Sequence, residues 1–155
     1  MKVYLASDHA GFELKAALVA RLAALGYAVE DLGAPALDLA DDYPDYVTPC
    51  AKRVAGEPGS FGFVIGGSGQ GEAMAANRIA GARAAVFYGE PTRPQMDAAG
   101  NVLDMIASVR AHNDANILSL GARFLTADEA VRAVERFLAA SFSGEERHKR
   151  RLAKF

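Results

Sequence analysis

The chain has 155 residues, 51% of them hydrophobic and 23% charged, which is the size and make-up of one ordinary globular domain and excludes a disordered one. A net charge of −2, from 17 Lys and Arg against 19 Asp and Glu, gives no electrostatic case for a nucleic-acid partner. A single cysteine, Cys50, excludes an internal disulfide; no Cys/His cluster has metal-ligand spacing, and no apolar run reaches the roughly 20 residues that span a bilayer.

Short β-branched or apolar runs alternate with longer segments of helical period, the pattern of βαβ units around a parallel sheet. Lys2 to Ala6 reads as a first strand. Asp8 and His9 follow it directly, where a secretory leader would still be apolar, so a cytoplasmic protein is expected. Ser7 and Asp8 are N-cap types for a helix carrying Leu14, Leu18, Leu22 and Leu25, which Gly26 ends. Tyr27 to Asp31 reads as a second strand, and an acidic loop over 32–42 leads to Tyr43-Pro44 and a helix with Tyr46, Cys50 and Val54 on one face. Pro49 lies inside that helix, so it either starts late or bends there.

Phe61 to Ile65 reads as a third strand, followed by the turn Gly66-Gly67-Ser68-Gly69-Gln70-Gly71 and a helix to about Arg78. Arg83 to Phe87 is a fourth strand, and the polar stretch from Gly89 to Asn101 a surface loop. Val102, Met105, Ile106 and Val109 form a helical stripe, and Ala115 to Leu120 a fifth strand. Thr126 to Glu129 is a capping box for a helix burying Val134, Phe137 and Leu138, and Ser143 to Glu146 a second box for a short basic helix. The expected fold is a single domain over 1–155, a three-layer α/β/α sandwich on a Rossmann-like parallel sheet of about five strands. Ligands in such folds gather at the carboxyl ends of the strands.

The turn after the third strand is glycine at four of six positions, which lets main-chain amides approach an anion closely. It has the outer spacing of a P-loop, but Glu72 and Ala73 replace the lysine and the hydroxyl that such a loop needs. The dinucleotide pattern GxGxxG is absent, and SDHAG stands after the first strand instead. A carboxylate beside such a cradle is the pair that proton transfer next to a carbonyl requires: Glu72 takes the proton and the amides hold the enolate charge. Taken alone, Glu72 is an ordinary first-turn acid. Asp8 and His9 sit at a strand end; His112 and Asn113 close the helix before the fifth strand and are expected near the same sheet edge. Arg123 follows the fifth strand, and Arg147 and Arg151, four apart, face one way and can grip one phosphate. A short basic tail does not readily fold back over its own sheet edge, so helix 143–155 is expected to cover a neighbouring subunit's site.

Together SDHAGFELK, DYPDY, GGSGQGEAMAANR, AHNDANILSLGAR and RHKRR resemble, in order and over most of the chain, the ribose-5-phosphate isomerase B family, which includes galactose-6-phosphate and allose-6-phosphate isomerases. The resemblance implies aldose–ketose isomerisation of ribose 5-phosphate through an enediolate, without metal or cofactor, in a homodimer with shared active sites. It places Asp8 and His9 against sugar and phosphate, and Gly67, Ser68, Gly69, Gln70 and Gly71 around the enediolate, with Ser68 also in the catalytic set. It gives His112 to ring opening, Asn113 to substrate contact, Tyr43 to the sugar pocket, and Arg123, Arg147 and Arg151 to phosphate, some from the partner. Many members carry a cysteine base at the position of Gly66; this chain resembles the branch whose base is a glutamate after the turn, Glu72. Cys50 matches no catalytic position and is expected in the core. The connection from Tyr88 to Arg110 is longer than the family leads one to expect. Other aldose phosphates of four to six carbons, a non-catalytic sugar-phosphate-binding module, and a tetramer of two dimers are the alternatives.

Overall fold

Side chains of successive strand residues point to opposite faces, and here both faces are apolar, as a sheet covered on each side requires. The computed structural model describes residues 1–97 and 100–154; positions 98 and 99 of the expected loop and Phe155 at the chain end lie outside the described residues. Five strands, β1 (Lys2–Ser7), β2 (Ala28–Asp31), β3 (Phe61–Gly66), β4 (Ala84–Phe87) and β5 (Ile117–Gly121), form one all-parallel sheet in the order β2-β1-β3-β5-β4. The helices are α1 (Phe12–Ala24), α2 (Pro44–Gly56), α3 (Gln70–Ala76), α4 (Met105–Asn113), α5 (Ala127–Ala139) and α6 (Glu146–Leu152).

One layer holds α1, α4 and α5, whose Leu18, Leu22, Ile106, Val134 and Phe137 pack on Val3, Leu5, Phe63, Ile65 and Leu120. The other holds α2 and α3, with Val47, Cys50, Val54 and Ala76 against Tyr4, Ala6, Val64 and Ile117. Cys50 is a core residue as expected, its thiol pushed up to about 12 by burial. Phe137 meets Phe61 and Phe63 edge-on at 5.9 and 5.8 Å, and the buried Arg110 lays its guanidinium 4.7 Å over Phe61. Among the described residues no helix is long and apolar enough to cross a membrane.

The strand order reverses direction between β1 and β3, because one crossover leads out to β2 and the next returns across β1 to β3. In open parallel sheets ligands bind at such a switch point, which here lies at the carboxyl ends of β1 and β3. Asp8 and His9 leave β1 there, and the glycine turn leaves β3 there.

Several local expectations are corrected. Asp8 caps a short 3-10 turn over His9–Gly11, accepting from Ala10 N at 3.0 Å, and α1 begins only at Phe12. α2 starts at Pro44 and runs through Pro49, which is exposed, so the backbone bond it cannot make is lost on the water side. Val102 is outside α4: it bridges Met96 in antiparallel fashion, and the helix starts after Asp104, whose carboxylate accepts from the amides of Ile106 and Ala107. The Thr126–Glu129 box forms as expected. The Ser143–Glu146 box does not: Glu145 is the N-cap of α6, and the Ser143 hydroxyl lies 2.9 Å from His148 Nδ1. α6 packs on α4 of its own chain, with the rings of His148 and His112 4.5 Å apart.

Candidate active site

The turn after β3 is held by its carbonyls. Gly66 O accepts from Ala122 N, Gly67 O from Arg123 N, and Gly69 O from Ala73 N and the buried Ser119 hydroxyl. With the carbonyls so engaged, the amides of Gly67, Ser68 and Gly69 make no hydrogen bond among the described residues. They are available donors to an anion. Gly69 has φ +75°, a left-handed conformation that only glycine adopts freely, and a side chain there would also press on the Leu120 carbonyl.

Glu72 is 4% exposed on α3, and its carboxylate folds back over Gly66, filling the space that a Cβ at Gly66 would occupy. The acid thus reaches, from the next helix, the spot where a side chain at residue 66 would stand. A side chain at residue 66 and this placement of the Glu72 carboxylate exclude one another sterically. Burial, reinforced by Asp8, raises the Glu72 pKa above the usual carboxylate range, against a smaller lowering by its own main-chain amide. A carboxyl so tuned is a better proton acceptor near neutrality than an ordinary surface acid.

Around this pair stand the other groups from the carboxyl edge. The Tyr43 hydroxyl, at the N-cap of α2, lies over Gly71, and the Arg123 guanidinium lies against Gly67. Ser68 is half-buried and accepts from the Gln70 amide at 3.3 Å, a bond within its own turn; Gln70 itself points to solvent. Asp8 is buried, and His9 Nδ1 lies 4.0 Å from its carboxylate. Asp41, which no spacing in the sequence singled out within its acidic loop, accepts from the His9 amide at 3.0 Å and lies 2.6 Å from His9 Nδ1. Asp41 and His9 are thus hydrogen-bonded to one another, with the Asp8 carboxylate beside them. Lys15 is equally hidden from sequence reading: buried on α1, it binds both oxygens of Asp31 and the Ala34 carbonyl, anchoring the start of that loop.

His112, Asn113, Arg147 and Arg151 are not at this edge. α4 ends three residues before β5 starts, so His112 and Asn113 lie at the amino end of the sheet. β5 alone separates the two ends by about 13 Å, at roughly 3.3 Å per residue. α6 lies with them: Arg147 and Arg151 are both exposed, Arg147 pairing with Glu145 at 2.8 Å, while His148 between them is buried against His112. A groove of about 620 Å³ opens here between Asn113, the stretch 77–85 and Leu152. The expectation that His112 and Asn113 stand near the Glu72 edge of the same chain is therefore wrong; the candidate set divides into two clusters at opposite ends.

The profile of the ribose/galactose isomerase family matches residues 3–155. The chain belongs to that family. It is 39% identical over 152 residues to ribose-5-phosphate isomerase B of Mycobacterium tuberculosis, covering 98% of this chain and 86% of the relative. It is also 39% identical to the probable ribose-5-phosphate isomerase B of Mycoplasma pneumoniae, over 98% and 91% of the two chains. The crystal structure of ribose-5-phosphate isomerase B from Mycoplasma genitalium with bound ribulose 5-phosphate superposes with a TM-score of 0.85 at 36% identity, covering 99% of this chain and 92% of that one. The family resemblance drawn from five sequence segments is thus sound, and so is the three-layer parallel fold.

Proposed function

We propose that the protein is an aldose–ketose isomerase interconverting ribose 5-phosphate and ribulose 5-phosphate, built as a homodimer in which each site joins the carboxyl edge of one subunit to the amino edge of the other. The observation that carries the reading is the buried Glu72 carboxylate held over Gly66 beside donor amides, the acid–oxyanion pair that enediolate chemistry needs. The division of the remaining candidates between opposite ends supports the shared site, because a two-fold dimer generates two equivalent composite sites. Exposed apolar side chains near the carboxyl edge support it as well. Tyr88 and Phe124 stack at 5.8 Å while 50% and 62% exposed, directly beside Arg123, and Met74 is 70% exposed on α3.

In this reading His112 of the partner subunit opens the sugar ring by moving a proton between the ring oxygen and O1. Glu72 takes the proton from C2 as the C1–C2 enediolate forms. The amides of Gly67 to Gly71 hold the negative oxygen, and Glu72 returns the proton to C1 while the hydroxyl hydrogen passes from O2 to O1. His9 and Arg123 hold the phosphate from one side, Arg147 and Arg151 of the partner subunit from the other, and Asp8, Tyr43 and Asn113 line the sugar. Remote phosphate binding positions C2 against Glu72.

A coupled assay on aldose phosphates of four to six carbons tests the reading: ribose 5-phosphate is expected to turn over fastest. Faster turnover of a six- or four-carbon substrate reassigns it, and binding without turnover on any makes the protein a sugar-phosphate-binding module. Arg147→Ala and Arg151→Ala each raise KM about tenfold or more, as loss of a charged hydrogen bond predicts, with kcat little changed. An unchanged KM in both variants makes the basic helix a solvated charge run.

A further inference from the structure

We propose that Asp41 is a positioning residue for this site: its buried carboxylate locks the His9 ring with Nδ1 turned into the loop, so that Nε2–H faces the substrate phosphate. The inference rests on the isomerase reading above and adds to it a residue that neither motif nor spacing marks. One oxygen of Asp41 serves both ends of His9. Oδ1 accepts the main-chain amide at 3.0 Å and lies 2.6 Å from Nδ1, with the Asp41 side chain only 5% exposed. A carboxylate is acceptor-only, so the shared proton belongs to Nδ1. A neutral ring held this way would offer a bare Nε2 to an anion, which repels it. Only the imidazolium donates at both nitrogens.

The charge of Asp41 favours that cation. Its second oxygen, Oδ2, is buried with no hydrogen-bond partner among the described residues, and a buried carboxylate calls for a counter-charge. The His9 ring, a cation when protonated, is the group at hydrogen-bond distance. The groups that face His9 are Asp41 from the acidic loop, Asp8 from the end of β1 and Arg123 from the turn after β5. The Tyr46 phenol on α2 and the Glu72 carboxyl on α3 lie near the same acids. The balance raises the His9 pKa above its ordinary value: the hydrogen bond to Asp41 is the largest influence, Asp8 adds to it, and partial burial and Arg123 oppose it. Asp41 also tethers its loop to the His9 backbone, so a purely structural role must be separated from the electrostatic one.

Asp41→Asn keeps an acceptor oxygen for both His9 N–H groups and removes the charge. KM and kcat of the two proteins are compared from about pH 5 to 8, the range over which histidine titrates. Since the wild-type pKa is raised, His9 stays protonated further up the pH scale in the wild type than in the variant. KM of the variant should match the wild type at the acid end and rise to about tenfold above it toward the alkaline end, with kcat unchanged. Titration of the substrate's own phosphate cancels in the ratio. Coincident KM profiles, with only a lower melting temperature in the variant, make Asp41 a loop tether and overturn the proposal.

A second measurement needs no variant: ¹⁵N NMR of the His9 ring in the wild-type protein. The proposal requires Nδ1 to remain protonated when the ring becomes neutral. A neutral Nε2–H tautomer overturns it. Absence of turnover on every sugar phosphate defeats the isomerase reading, while the NMR titration still decides the Asp41–His9 pair.

Discussion

Replacing Glu72 by Gln is expected to lower kcat by about 10²–10⁴-fold with KM little changed, the range a general base contributes. Gln fills the same volume over Gly66 and keeps the fold, but has no lone pair basic enough to accept a carbon-bound proton. Because the wild-type carboxyl is held above its ordinary pKa by burial, it must lose its proton before it can act. The sign follows: kcat/KM of the wild type rises with pH through that raised pKa and falls off on the acid side. The low residual rate of the variant loses this limb. Gln at position 72 also removes a charge that the wild type must keep in a largely buried place, so unfolding in urea should show no loss of stability large enough to explain the rate. Near-normal turnover in the variant removes Glu72 as the base.

Gly66→Ala is the second large effect, and it tests geometry rather than ionisation. The added methyl group would fall on the Glu72 carboxylate, within a distance no real Cβ tolerates. Gly66 itself is fixed: it is the last residue of β3, paired with Gly121 of β5, and its carbonyl is taken by Ala122 N. The carboxylate must therefore swing away from the cradle. A misplacement of about 1 Å costs on the order of 10²-fold in rate where chemistry depends on alignment, so kcat should fall by at least that factor. Phosphate binding, which the proposed site assigns to other groups, should survive, leaving KM within a few-fold of the wild type. A fully active Gly66→Ala protein would place the working base elsewhere.

Much of the fold is legible in the sequence because both faces of the sheet are buried. Phe61–Ile65 and Ile117–Leu120 then read as unbroken apolar runs, and helices of 13 residues such as α1 and α5 show a clear apolar stripe. Errors fall where local pattern competes with context. Val102 fits the stripe of α4, yet the carboxylate of Asp104 caps the helix two residues later and leaves Val102 to a bridge with Met96. Ser143 has the spacing of a capping box, but its hydroxyl faces His148, whose ring is buried against His112, and Glu145 becomes the cap.

Asp8, His9, the glycine turn and Arg123 are legible as candidates at the carboxyl edge because each follows a strand closely. His112 and Asn113 fall elsewhere than their spacing suggests for a reason that topology supplies: a helix feeding a parallel strand delivers its last residues to that strand's amino end, so they cannot join Glu72 within one chain. Nothing in the sequence marks Asp41, because it is one of several acids in its loop and burial distinguishes it from the exposed Asp38 and Asp42.

The shared site is tested most directly by mixing lesions. A chain carrying Glu72→Gln is co-expressed with one carrying both Arg147→Ala and Arg151→Ala, and activity is assayed at substrate well below KM. If each site draws Glu72 from one subunit and the two arginines from the other, a hybrid dimer has one doubly damaged site and one intact site. Random pairing then restores about one quarter of wild-type activity from two nearly inactive parents. No recovery in isolated hybrid dimers would show that Glu72 and the basic helix do not meet across the subunits, and the composite site would have to be abandoned.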